Sequence, residues 1–204
     1  MLKVAVTGGI GTGKSVVLAQ LAACGAPVVD ADALVHACLR AGTPVASAIR
    51  ARFGEAVMAE SGDVDRARLG AIVFQDAQAR RDLEVILHPA VYRAIDAWMR
   101  AQEAGGAIAA VAEIPLLYET GHDGDFDCVV VTACDGEEQV RRVVVRSGLN
   151  ETDARWRIAA QWPLAEKVRR ADFFIRTDGA IEDTRSEARS LWEALMRRAK
   201  VNNF

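Results

Sequence analysis

The clearest chemistry in the sequence lies near its start, where Gly8-Gly9-Ile10-Gly11-Thr12-Gly13-Lys14-Ser15 has the GxxxxGKS spacing of a phosphate-binding loop. Glycines at this density let the backbone take positive φ and turn its N–H groups inward around an anion. Lys14 adds a point charge and Ser15 a hydroxyl suited to Mg²⁺, so the segment reads as a cradle for a triphosphate. Two carboxylates follow in Val28-Val29-Asp30-Ala31-Asp32. One of them can cap the helix that comes next, and the other is suited to Mg²⁺ or to taking a proton; the sequence leaves open which does which. His88, taken alone, reads as a structural histidine at a helix junction. Arg142 and Arg146 stand one helical turn apart and can reach one ligand, and phosphoryl transfer spreads negative charge that arginines neutralise.

These residues need a scaffold. Leu2 to Thr7 is a short apolar strand that feeds the loop. The helix opened by the loop should run from near Gly13 to about Ala23, with Val16, Val17, Leu21 and Ala22 toward a core and Cys24-Gly25 ending it. That places the positive end of a helix dipole at the phosphates. Val28 to Asp32 reads as a second short strand that delivers both carboxylates at its C-terminal end, with helix expected from Ala33 to Leu39, and in an open α/β sheet ligands gather at that edge. From Gly42 to Gln102 the pattern is helical: Thr43-Pro44 opens one helix with Val45, Ile49 and Phe53 on one face, while Asp65 and Asp76 read as caps. The last pattern there is expected to break at His88-Pro89, with Pro89 starting a new helix to about Glu103 that turns Val91, Ile95, Trp98 and Met99 inward. Ala107 to Ala112, Cys128 to Ala133 and Phe173 to Ile175 are apolar runs of the kind buried in a parallel sheet, and Ile181 to Ala199 is a long amphipathic helix. Strands joined by helical crossovers predict a right-handed, doubly wound α/β sheet.

With 204 residues, 51% hydrophobic and 26% charged, the chain can bury one large core with a smaller subdomain. A net charge of −3 gives no global field toward nucleic acid or anionic membrane, so any basic function is local. Such a patch lies between Gln139 and Arg176, where nine basic residues face four acidic ones. Arg155, Arg157, Arg169 and Arg170 in it read as a solvated face laced with ion pairs. Cys24, Cys38, Cys128 and Cys134 form no metal or disulfide pattern and read as reduced thiols. No run approaches a membrane span, and the expectation is a cytoplasmic protein.

Taken together and in order, several stretches resemble one family, the dephospho-coenzyme A kinases. They are Thr7 through Ser15, Val29-Asp30-Ala31-Asp32, Ile72-Val73-Phe74, Leu87-His88-Pro89, Pro115-Leu116-Leu117-Tyr118-Glu119, Gln139 with Arg142 and Arg146, and Gln161 with Lys167 and Ala171-Asp172. The resemblance implies a P-loop kinase fold with a five-stranded parallel sheet flanked by helices. It implies a nucleotide-binding core (1–41, 105–138 and 171–204), a helical coenzyme-A-binding insertion (42–104) and a basic lid (139–170). It also implies the reaction, in which ATP, with Mg²⁺, phosphorylates the ribose 3′-hydroxyl of dephospho-coenzyme A. On this chain Gly9, Gly11, Thr12, Gly13, Lys14, Ser15 and Val16 would hold ATP with Arg142 and Arg146, and Asp32 would be the base. His88, Leu116, Leu117, Tyr118 and Glu119 would shape the acceptor site, and Ser15, with Asp30 or Asp32 through water, would meet the metal. ATP and dephospho-coenzyme A would be the partners, with no nucleic acid, membrane or obligatory protein partner.

Three positions depart from the family pattern: Val16 replaces a usual Thr, His36 a common Arg, and Asp178 an Asn often found before the glycine. Two other readings stay open on the sequence: a P-loop kinase for another small acceptor, such as a nucleoside or nucleotide, and a slow nucleotide-hydrolysing switch.

Overall fold

The computed structural model describes residues 1–201; residues 202–204, the end of the expected core segment, lie outside the described residues. Five strands, β1 (Leu2–Gly8), β2 (Val28–Asp30), β3 (Ala109–Glu113), β4 (Cys128–Ala133) and β5 (Phe173–Arg176), form one sheet in the order β2-β3-β1-β4-β5. The first strand is therefore central. It runs parallel to both neighbours, with Val4 beside Val111 on one side and Cys128 on the other, and β4 is parallel to β5. This is the helix-flanked parallel sheet expected from the apolar runs. All six residues of β4 are buried, which is why its sequence shows no alternation.

Helix α1 (Lys14–Ala23) and the last helix, α9 (Ile181–Val201), pack on the sheet. Val4, Val6, Val111 and Val130 meet Val17, Leu18 and Leu21 of α1 and Ala188, Leu191, Trp192 and Leu195 of α9. Each of the valines and leucines among them contributes about 1.5–3 kcal/mol on burial. The inward stripe of α1 differs from expectation: Leu18 joins it, Ala22 is exposed and Val16 is only half-buried. Positions 17, 18 and 21 share one side of the helix, and 22 has already turned past it.

The chain folds as two compact units, Asp30–Trp98 and Met1–Val29 joined with the chain from Met99. The first contains α2 (Ala31–Cys38), α3 (Pro44–Phe53), α4 (Arg66–Gln75) and most of α5 (Ala77–Ala104). Its own core is built on Leu39, Val45, Ile49, Val57, Met58 and Leu69, with Leu83, Ile86 and Leu87 packed against it. Its helix starts are capped as the sequence predicts. Thr43 accepts from the Ala46 N–H, Asp65 from Ala67 and Arg68, and Asp76 from Gln78 and Ala79.

The expected break at Pro89 is corrected by the structure, which has one 28-residue helix running through it. Proline removes one N–H from the helical ladder and crowds the carbonyl four residues earlier. The turns before Pro89 are anchored by Leu83, Ile86 and Leu87, and those after it by the buried Val91, Ile95 and Met99. Burial on both sides outweighs one lost hydrogen bond. Among the described residues no helix is long and apolar enough to cross a membrane.

Candidate active site

β1 ends in the glycine loop, and Gly11 and Gly13 there take φ of 78° and 80°. Gly13 needs glycine for its positive φ, and a β-carbon there would also crowd Thr177 at 3.1–3.2 Å. The loop is braced from within. The Thr12 hydroxyl donates to the Gly9 carbonyl (2.8 Å) and accepts from Thr132 (2.7 Å), and Lys14 Nζ donates to the same carbonyl (3.0 Å). Helix α1 starts at Lys14 with no side-chain cap and no acid in its first turn. Its opening N–H groups and dipole are left for an anion. Ser15 is exposed at that end.

Arg142 lies on α6 (Gly136–Ser147) and is held against the loop from several directions. Its Nε donates to Glu138 (2.7 Å), Nη1 to the Thr177 hydroxyl (2.9 Å) and to the Gly11 carbonyl (3.5 Å), and Nη2 to the Thr177 carbonyl. Thr177 in turn donates to the Thr12 carbonyl at 3.1 Å. Arg141 and then Arg142 hold the Glu138 carboxyl down to about 2. Arg146, one turn on, is exposed in the last turn of α6, away from these contacts. Among the described residues Arg142 is thus the arginine hydrogen-bonded to the loop. Beside them opens a cleft of about 500 Å³ lined by Gly13, Val16, Glu138, Arg142, Asp178 and Ile181. Val16 is drawn out of the core stripe to this wall.

β3 leads into Pro115 to Glu119. Leu117 and Tyr118 are buried, whereas Leu116 is 42% exposed. Lys167, on α8 (Leu164–Arg170), is entirely buried and pairs with Glu119 Oε1 at 2.6 Å while reaching the Pro115 carbonyl at 3.4 Å. The Trp162 N–H donates to the same Glu119 oxygen (3.0 Å); Oε2 is buried with no partner among the described residues. The Tyr118 and Trp162 rings stack with centroids 6.2 Å apart, Arg170 lies over both, and Arg170 pairs with Asp123 at 2.7 Å. Burial pushes the Tyr118 phenol up to about 12, which rules it out as a base near neutral pH. Sequence reasoning assigned no task to Lys167, Trp162 or Thr177.

Within the Asp30–Trp98 unit the two carboxylates separate in role. Asp30 is the N-cap of α2 and accepts from the Asp32 N–H at 2.8 Å. Asp32 is exposed in the first helical turn, so its own carboxylate is spared from capping. His88 is half-buried inside α5, and His36 meets the Arg66 guanidinium.

A parallel sheet with a GxxxxGKS loop at the end of its central strand, opening an uncapped helix, defines a P-loop nucleotide-binding protein. The sequence profile of the dephospho-CoA kinases matches residues 2–183. The dephospho-CoA kinase of Geobacillus kaustophilus is 42% identical over 197 residues, covering 95% of this chain and 98% of that protein. That of Anaeromyxobacter dehalogenans is 46% identical over 182 residues, 89% of this chain and 86% of its own. Among solved structures, TT1252 from Thermus thermophilus superposes with a TM-score of 0.75 at 35% identity, covering 96% of this chain and 97% of that one. Dephospho-CoA kinase from Campylobacter jejuni superposes at 0.66 and 26%, over 95% and 96%. The chain belongs to the dephospho-CoA kinase family.

Proposed function

We propose the following division of labour for the reaction of this family, transfer of a phosphoryl group from ATP to the ribose 3′-hydroxyl of dephospho-coenzyme A to give coenzyme A and ADP. The reading rests above all on the loop from Gly8 to Ser15, with the uncapped start of α1 behind it and Arg142 fastened beside it. Gly9, Gly11, Thr12, Gly13, Lys14 and Ser15 hold the phosphates of ATP through backbone N–H groups and the lysine charge. Val16 and the cleft beside it take the nucleoside; about 500 Å³ is within the range of sites that hold ligands of that size. Arg142 stabilises the charge spread over the transferring group, and Arg146 joins it from the basic lid, residues 139–170.

Asp32 orients and accepts the proton of the attacking hydroxyl, which its exposed carboxylate in the first turn of α2 is free to do. His88 and Leu116 to Glu119 shape the acceptor site, in keeping with the exposed Leu116 and the unsatisfied Glu119 oxygen. The insertion 42–104 carries the coenzyme moiety.

The Ser15 hydroxyl is a hard oxygen donor of the kind Mg²⁺ takes alongside phosphate oxygens and waters, and a site of this type needs no cage of carboxylates. Bound there with the nucleotide, Mg²⁺ would neutralise phosphate charge. The enzyme is placed in the cytoplasm, acting on these two substrates without nucleic acid, membrane or obligatory protein partner. The test of the chemistry is phosphorus NMR of the product. A new phosphomonoester coupled to the ribose H3′ is expected, and a phosphate at another hydroxyl would contradict the assignment.

A further inference from the structure

Two glutamines outside the roles above converge on one residue of the phosphate loop, Ile10, one at its N–H and the other at its carbonyl. The Ile10 N–H donates to Gln161 Oε1 at 2.7 Å, and Gln139 Nε2 donates to the Ile10 carbonyl at 2.7 Å. Both bonds are at the short end of the range for amides. Gln139 is 4% exposed on α6, and Gln161 lies between α7 (Glu151–Ala159) and α8. Gly9 is what admits the first of them: a β-carbon there would lie 2.5 Å from Gln139 Nε2. The Ile10 side chain continues the attachment by packing on Val140, Val143 and Ala154.

We propose that Gln139 and Gln161 are positioning residues that clamp the backbone of Ile10 through the two peptide groups that flank it, fixing the phosphate loop and tying it to the segment Gln161–Lys167. The same segment holds the Pro115–Glu119 turn, through the Trp162 N–H and Lys167 on Glu119 and through Lys167 on the Pro115 carbonyl. That carbonyl also accepts from the Thr7 hydroxyl (3.2 Å) at the end of β1. One stretch of seven residues thereby fixes the phosphate loop at one end and the turn after β3 at the other. A loop that must present several N–H groups at once gains from having the N–H and the carbonyl of Ile10 both satisfied by side chains, because neither then competes for the ligand.

The clamp has a polarity that can be tested. A peptide N–H only donates and a carbonyl only accepts, so Gln161 must present oxygen and Gln139 nitrogen. Glutamate at 161 keeps the acceptor; glutamate at 139 sets a carboxylate against a carbonyl. The experiment is amide hydrogen exchange at Ile10 by NMR on the full chain, together with Mg-ATP titration by calorimetry. In Q161L the Ile10 amide should lose protection by tenfold or more, and in Q161E it should keep it. Q161L and Q139L should bind Mg-ATP about tenfold more weakly while the remaining core amides exchange as in the parent, and Q139E should bind more weakly than Q139L. Equal Ile10 exchange in Q161L and the parent, or Q161E no better protected than Q161L, overturns the clamp. Because Gln161 is only half-buried, its variants decide the matter even if those at Gln139 do not fold. The inference rests on the loop being the nucleotide site. If the parent itself failed to bind Mg-ATP, that reading would fall, and Ile10 exchange would still decide whether the clamp exists.

Discussion

Of the two aspartates at the start of α2, Asp30 is the cap: it accepts the Asp32 N–H, and among the described residues the Asp32 carboxylate has no hydrogen-bond partner of its own. Asp32→Asn preserves the shape and removes the base, so kcat should fall by roughly 10²-fold or more, as general-base contributions do. Steady-state kinetics check this, and turnover near the parental rate would remove Asp32 from the mechanism. Gly13 gives a second prediction at this scale. With φ at 80° and Thr177 3.1 Å from any added β-carbon, Gly13→Ala should cost about 1–2 kcal/mol from the backbone alone. Thermal melts and Mg-ATP titration should both show the loss, the second because the strain falls on the cradle itself.

At the scale of elements, the buried Lys167 joins α8 to the turn after β3. Removing one partner of a buried ion pair strands the other, at a cost of about 3–5 kcal/mol. Lys167→Met should therefore lower Tm by roughly 6–20 °C, on the scaling of about 2–4 °C per kcal/mol for chains of this size. Adding Glu119→Gln should recover part of the loss; a single variant as stable as the parent would show that the pair is dispensable.

Glu138 gives a pH prediction on α6. Its folded pKa of about 2 lies below the ordinary 4.5, chiefly because Arg141 and then Arg142 donate to it. The stabilisation is present above about pH 4.5 and fades as pH falls toward 2. The Tm difference between the parent and Glu138→Gln should accordingly narrow across that interval. Elements of this kind were only partly legible in the sequence. The loop, the capped helices and the buried strands show themselves in contiguous residues. The Lys167–Glu119 pair and the Ile10–Gln161 bond join positions far apart, the latter by 151 residues, and no local pattern announces them. Pro89 misled for the same reason, because the burial that carries α5 through it lies in tertiary packing.

For the whole molecule, a ligand that binds only the folded state stabilises it by about 2.7 kcal/mol at a hundredfold excess over Kd. On the same Tm scaling, Mg-ATP should raise the melt of the sheet-containing unit by roughly 5–11 °C, and Lys14→Ala should abolish most of the rise. The architecture of that unit was readable because an all-buried parallel sheet leaves continuous apolar runs, as in Cys128–Ala133. The acceptor was less readable from physics alone, since a phosphate loop serves many substrates, and its assignment leans on the family to which the chain belongs. The most direct test of that assignment is an ADP-release assay with ATP and Mg²⁺, comparing dephospho-coenzyme A with a panel of nucleosides and nucleoside monophosphates. Rapid turnover with dephospho-coenzyme A alone is the predicted result. Turnover with another acceptor instead, or only slow hydrolysis without one, would contradict it.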